Sequence, residues 1–251
     1  EEHATILCAS MAAQGLKPYY AVYSTFLQRS YDEIVIDICS QNLPVTLCVD
    51  RAGISGTDGE THQGVFDISF LSHIPNLTIA VPKDVKEFEK MIKFSAGFGH
   101  PLAIRYPREG KRIFKIQTDL VYGKWETLAE GDGKCVIIAC GERAITHSLA
   151  AWQVLKNKGI EVGVINARFI KPLDKELLDG LKEKYIITVE DNMLCGGLGS
   201  LINSYFCGGE KTIKNFAYPD VFIPHGGVGE LMEEYGVSSR AIVKYIENEI
   251  R

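Results

Sequence analysis

The sequence predicts an α/β fold in two domains, each a largely parallel sheet covered by helices. Three observations predict it. Short runs rich in Val, Ile and Tyr recur between segments whose apolar residues fall at helical spacing. Those runs are close to continuously apolar, as strands covered on both faces are. The alternation also passes through two cycles, separated by a polar stretch from Arg108 to Gly133.

In the first cycle "PYYAVYS", "LPVTLCVD", "LTIAVP" and "PLAIRYP" read as buried strands, each flanked by Pro, Gly or charged residues. Between them "TFLQRSYDEIVIDICSQ" places Phe26, Ile34 and Ile38 on one helical face, and "KDVKEFEKMIKFSAG" does the same with Val85, Phe88, Met91 and Ile92. The second cycle runs strand "CVIIACG", helix "AITHSLAAWQVLKNKG", strand "EVGVINA", helix "DKELLDGLKEK" and strand "YIITVED". The division falls at residues 1–118 and 119–251, with the join around 109–125.

Composition narrows the function. The 251 residues are 46% hydrophobic and 24% charged, enough apolar material for a sizeable core. The longest apolar runs fall short of the roughly 20 residues of a membrane helix, and no basic-then-apolar leader opens the chain, so a soluble protein is expected. A net charge of -5 without a long basic run argues against a nucleic-acid surface, while single arginines remain free to bind a phosphorylated metabolite. Seven cysteines without a CxxC pair read as reduced thiols in a cytosol-like compartment.

Two groups of glycines stand out. "VEDNMLCGGLGSLINSYF" lies between a predicted strand and helix, but Gly196, Gly197 and Gly199 do not make GxGxxG, and a tight turn packed on protein is expected there. His73, His100 and His147 stand singly, without metal-ligand spacing, and His225 sits in a turn; structural roles are expected for all four. "DRAGISGTDGETHQGVFD", Asp50 to Asp67, is different. Its glycines let the backbone approach a ligand, and it follows a predicted strand, at the carboxyl end where open α/β sheets bind ligands. Within it His62 can transfer a proton near neutrality, Asp58 can orient it or a hydroxyl, and Arg51 offers a cationic fork for carboxylate or phosphate. An active-site loop and a structural Ω-loop both fit these residues.

The stretch resembles the D-R-A-G-x-x-G-x-D-G-x-T-H-x-G-x-F-D segment of the 1-deoxy-D-xylulose-5-phosphate synthases, thiamine-diphosphate enzymes of the transketolase superfamily. "YSTFLQRSYD", "IPNLTIAVPKD" and "RYPR" follow in that family's pattern, and "NARFIKPLD", "TVEDN" and "FIPHG" extend the likeness more loosely over the whole chain. The resemblance implies a thiamine-diphosphate-binding fold followed by a transketolase C-terminal-like domain. It matches the opening "EEHA" to the family's A-E-Q-H, with Glu1 at the glutamate that contacts the pyrimidine N1′, His3 at the histidine and Glu2 in place of the usual Gln. It places Phe26 against the pyrimidine, and Tyr23, Arg51, Asp58, His62 and Arg108 around the substrates, with Glu109 departing from the Gly that commonly follows. The catalytic set it implies is Glu1, Asp58 and His62.

The implied activity is condensation of pyruvate with glyceraldehyde 3-phosphate, on thiamine diphosphate, in a cytoplasmic or organelle-stromal homodimer serving isoprene and thiamine biosynthesis. The family's amino-terminal domain, with its Mg²⁺ ligands and diphosphate pocket, has no counterpart here. The chain is therefore expected to be the carboxyl-terminal part of a longer enzyme and inactive alone. Transketolase-type ketol transfer, the β part of a 2-oxoacid dehydrogenase and a silent interaction module are the alternatives. The second domain is expected to serve structure and dimerisation, because its polar residues form no constellation comparable to the Asp50 loop.

Overall fold

The computed structural model describes residues 1–110 and 113–250. Residues 111 and 112, within the predicted join, and residue 251 lie outside the described residues. Ten strands are present among the described residues: β1 (Tyr19–Tyr23), β2 (Thr46–Asp50), β3 (Thr78–Ala80), β4 (Leu102–Arg105), β5 (Glu126–Ala129), β6 (Cys135–Cys140), β7 (Gly163–Asn166), β8 (Phe169–Lys171), β9 (Tyr185–Met193) and β10 (Thr212–Tyr218). They form two five-stranded sheets, in the orders β1-β2-β4-β3-β8 and β10-β9-β6-β7-β5. In each sheet four strands are parallel, and the fifth, β8 or β5, runs antiparallel at an edge. The predicted fold class is therefore the observed one.

The apolar runs form the middle strands because helices cover both sheet faces. Leu47, Val49, Ala103 and Ile104 are fully buried in the first sheet, as are Val136 to Ala139 in the second. The helix Val85–Gly97 begins where the Asp84 carboxylate accepts the Glu87 N–H at 2.8 Å. The helix Ser239–Glu249 begins with the Ser238 hydroxyl accepting from Ala241 N–H at 3.3 Å. One apolar cluster joins Leu47, Ile68 and Leu71 of the first half to Val136, Ile138 and Leu198 of the second, so the halves share a core.

The structure corrects the predicted elements at three places. The segment predicted as one helix from residue 25 to 41 is broken into Ser24–Leu27, a 3₁₀ turn Gln28–Ser30, Tyr31–Glu33 and a π-helical stretch Ile34–Cys39. The polar stretch before Gly133 contains β5, whose Glu126 is polar and yet buried. The Phe169–Lys171 strand, taken only as part of a loose motif, crosses to the first sheet, pairing Ala80 with Phe169 and Ile79 with Lys171.

Burying Glu126 is possible because an ion cluster lies between the halves. Lys83 Nζ is 2.6 Å from Glu126 Oε2 and 3.5 Å from Glu87 Oε1, while Arg168 lies 3.0 Å from Glu87 and 2.9 Å from Glu126. All four are essentially inaccessible. Two cations face two anions, and Asn166 Nδ2 donates to both carboxylates, so no charge is left unpaired in the interior.

Candidate active site

β1 and β2 end side by side, with Tyr23 paired to Asp50 in register. Tyr23 ends one strand, and the helical turn after it carries Phe26 and Arg29; Asp50 ends the other and opens the glycine-rich loop. The loop leaves β2 sharply: Arg51 has φ of 53°, an uncommon conformation for a residue with a Cβ, and its N–H donates to the Asp50 carboxylate at 2.7 Å. Gly53 and Gly64 then close the neck, exchanging N–H to carbonyl bonds of 2.6 and 2.8 Å. Between them two 3₁₀ turns, Gly56–Asp58 and Glu60–His62, present the polar side chains.

Buried Gln63 pins the loop from inside. Its Oε1 accepts from Ser55 N–H at 2.7 Å and Gly56 N–H at 3.2 Å, and its Nε2 donates to the Pro224 carbonyl at 2.9 Å.

The predicted site residues meet in one chain of contacts. Arg51 Nη1 is 2.5 Å from Asp58 Oδ2, and Arg108 Nη1 is 2.9 and 3.1 Å from the two Asp58 oxygens. The Arg51 guanidinium lies 4.1 Å over the Tyr23 ring. Tyr23 stacks on Phe26 at 5.4 Å, and Phe26 meets the His62 ring edge-on at 5.5 Å. His62 Nδ1 is 3.0 Å from the Thr61 hydroxyl. Glu1, before the helix Glu2–Ala13, reaches the same place through Arg29, whose guanidinium is 3.9 Å from the Glu1 carboxylate and 5.4 Å over Phe26.

Glu1 and Arg108 are exposed and the other five half-buried, so the cluster forms an open face. Arg108 also lines a cavity of about 360 Å³ with Asp50, Phe88 and Tyr106. Asp58 neutralises one of its two arginines, which leaves the trio one net positive charge suited to an anion. Arg51 Nε is buried without a hydrogen-bond partner, a donor aimed at nothing the chain supplies.

Sequence reasoning missed Arg29, Gln63 and a second layer beneath the loop. The absence of a polar constellation expected in the second half is contradicted. Buried Asp191 accepts from Ile54 N–H at 3.0 Å, Tyr218 Oη at 2.7 Å and Arg143 Nη1 at 2.8 Å, and Arg143 also donates to the Ile54 carbonyl at 2.6 Å. Burial works against the Asp191 carboxylate, but the charges of Arg143 and Arg105 and the bonds from Tyr218 and Ile54 hold its pKa below the ordinary value. The signal was available in polar residues closing a strand that is otherwise apolar, "YIITVEDN".

The Gly196–Gly199 turn packs on protein, as the sequence predicts. Leu198 and Gly199 N–H groups donate to the Glu190 carboxylate at 2.8 Å each, so the chain itself occupies this helix N-terminus. A Cβ on Gly197 would lie 2.3 Å from Glu190 Oε2. The single histidines are likewise taken up locally: His73 by Tyr31, His100 by Asn42, and His147 by the Ser239 N–H.

Two family models match: "Transketolase, pyrimidine binding domain" over residues 1–112 and "Transketolase, C-terminal domain" over residues 123–242. The chain belongs to the transketolase superfamily. Among curated relatives, the 1-deoxy-D-xylulose-5-phosphate synthase of Clostridium perfringens SM101 is 49% identical over 96% of this chain, and that of Clostridium tetani is 47% identical over 98%. The chain spans 40% of the length of each. A solved split-gene transketolase, described as an inactive β4 tetramer, superposes with a TM-score of 0.90 at 25% identity, over 100% of this chain and 82% of that one. The transketolase of Campylobacter jejuni gives 0.83 at 20% identity, over 99% of this chain and 38% of its own, a likeness of fold.

Proposed function

We propose that this chain is the pyrimidine-binding and carboxyl-terminal portion, divided near residue 118, of a thiamine-diphosphate enzyme that condenses pyruvate with glyceraldehyde 3-phosphate into 1-deoxy-D-xylulose 5-phosphate and carbon dioxide. One observation carries the reading: Glu1, Tyr23, Phe26, Arg51, Asp58, His62 and Arg108, distant in sequence, form a single connected face. The synthase-like sequence over nearly all of the chain supports the choice of reaction.

The face suits the pyrimidine half of the cofactor. It offers an open carboxylate at Glu1, an aromatic surface at Phe26 and an imidazole at its edge. When bound, thiamine diphosphate supplies the carbon nucleophile and the electron sink for decarboxylation. Glu1 exchanges a proton with the pyrimidine N1′, a role open to a solvent-facing carboxylate whose pairing with Arg29 is loose, at 3.9 Å. Phe26 carries the ring by apolar contact. His62 donates to the oxygen of the reacting carbonyl as negative charge develops there, and a donor so placed is worth about 2.7–4 kcal/mol. Asp58 accepts from substrate hydroxyls while holding Arg51 and Arg108 apart, and the arginines meet the pyruvate carboxylate and the acceptor phosphate. Mg²⁺ and the diphosphate belong, in this reading, to an amino-terminal portion of the enzyme.

A separate partner chain is a second possibility within the same reading, favoured by the split-gene neighbour. We assign to the completed enzyme a homodimer of the cytoplasm or of an organelle stroma. No helix among the described residues is long and apolar enough to cross a membrane. The test is an assay of this chain together with the amino-terminal portion, with pyruvate and glyceraldehyde 3-phosphate in one arm and xylulose 5-phosphate and ribose 5-phosphate in the other. Product in the first arm only is expected, and turnover confined to the second moves the assignment to ketol transfer. Calorimetry on this chain alone, with thiamine diphosphate and Mg²⁺, should give no micromolar binding.

A further inference from the structure

The neck of the Asp50–Asp67 loop rests on side chains from the other half of the chain, 137 residues away at the Ile54–Asp191 bond. Gly53 has φ of 84°, and a Cβ there would stand 2.0 Å from Asp191 Oδ2, so backbone and carboxylate touch with no room for a side chain. Ile54 is gripped at both polar atoms: its N–H donates to Asp191 and its carbonyl accepts from Arg143. On the other strand of the neck, buried Arg105 donates to the Gly64 carbonyl at 3.2 Å and the Asp191 carbonyl at 2.7 Å, with its Nε on Asp67 at 2.7 Å.

We infer that Asp191 and Arg143 are positioning residues for the reaction: from the second half of the chain they fix the neck of the loop, and thereby where Asp58 and His62 stand. The loop is also held by the Ala52 N–H on the Tyr106 carbonyl, the Met193 N–H on the Val65 carbonyl and the Gln63 side chain on the Pro224 carbonyl, but Asp191 and Arg143 are the side chains that grip both polar atoms of Ile54 at the neck. The loop's interior is Gln63 and the two short turns, and its tip residues Thr57, Glu60 and Thr61 are exposed. A carboxylate bonded to Tyr218 and paired with Arg143 is a rigid anchor, because every partner is itself buried or bonded. The second half of this chain then takes part in catalysis by geometry, through the neck it holds.

The inference rests on the proposed function only for its consequence in turnover; the anchoring itself is measurable on this chain without cofactor. Arg143→Gln removes the fork at a half-buried position, and Asp191→Asn keeps the shape while removing the charge. Backbone hydrogen exchange should accelerate about tenfold or more at Ile54, Ser55, Gly56 and Gly64, with exchange in Cys135–Cys140 and Tyr185–Val189 within about twofold of the parent. The His62 imidazole resonances should broaden or shift. Arg143→Lys should recover part of the protection.

In the completed enzyme, Arg143→Gln should lower kcat about tenfold or more with KM for pyruvate nearly unchanged. Unchanged exchange at the neck, or equal acceleration through the whole second sheet, overturns the inference. If Asp191→Asn does not fold, Arg143→Gln alone decides. Loosened neck amides in a completed enzyme that makes no product from pyruvate would refute the functional reading and leave the anchoring standing. Normal turnover with an unaltered neck in Arg143→Gln would do the reverse.

Discussion

Glu126→Gln tests the buried ion cluster that joins the two halves. Burial pushes the Glu126 carboxyl up, but the hydrogen bond from Lys83, the Arg168 charge and the Thr118 hydroxyl outweigh it and hold the pKa down to about 2, against an ordinary 4.5. At about 1.36 kcal/mol per pH unit, this difference corresponds to about 3 kcal/mol of stability. Because the folded pKa is depressed, that stability is fully present above pH 4.5 and is lost as pH falls through 2. The neutral amide also leaves Lys83 and Arg168 facing only Glu87, and breaking a buried pair costs about 3–5 kcal/mol, a figure consistent with the first.

For a chain of this size about 3 kcal/mol lowers Tm by about 6–12 °C. Calorimetric melting of parent and variant at pH 7, 5 and 3 should give the full gap at the first two, and about half of it at pH 3. A gap of under 2 °C at pH 7, or one independent of pH, would refute the electrostatic account and leave Glu126 as a replaceable packing residue.

Glu190 should act in the opposite sense: burial raises its carboxyl to about 7, so its contribution is present below pH 4.5 and lost as pH rises through 7. Parent Tm should therefore fall between pH 5 and 8 by more than that of Glu190→Gln, as paired melting curves would reveal. Gly197→Ala, which drives a Cβ into Glu190 and the Met193 carbonyl, should lower Tm by several degrees and alter no substrate constant. In the completed enzyme, His62→Ala should cut kcat about a hundredfold or more with the circular dichroism spectrum unchanged. Arg108→Ala should mainly raise KM for the phosphorylated acceptor, because the charge it meets is present before and after reaction.

The inner strands were legible because burial on both faces writes a continuous apolar run, as in "CVIIAC". Strands at the sheet edges carry a weaker mark: Tyr19–Tyr23 was found from its Tyr and Val content, but as an edge strand it buries only Val22 and is not the buried strand expected. Thr212–Tyr218 alternates between exposed and covered residues and Phe169–Lys171 is three residues long, so local composition reads both as connection. The helix Glu2–Ala13 is apolar around much of its circumference, with Ile6 and Leu7 exposed, and periodicity is silent there. At the site, the loop announced itself by placing several chemistries among glycines. Its anchor was legible only in part: the polar end of "YIITVEDN" marks Asp191 as out of place in an apolar strand, but its pairing with Arg143 and Ile54 appears only when the two sheets come together.

The antiparallel strand Phe169–Lys171 makes the two halves inseparable as parts for exchange. It supplies the outer edge of a sheet whose other four strands all come from the first half, so a chimera grafting another relative's second half also replaces that edge. Compatibility then turns on register: the incoming strand must set its counterpart of Phe169 opposite Ala80 and of Lys171 opposite Ile79. One residue of slip exchanges the faces on which Phe169 and Ile170, both fully buried, pack against different core clusters, and without the strand β3 offers bare backbone donors and acceptors to any neighbouring chain. Recombination among these proteins should accordingly succeed at junctions that keep Thr78–Ala80 and Phe169–Lys171 from the same parent.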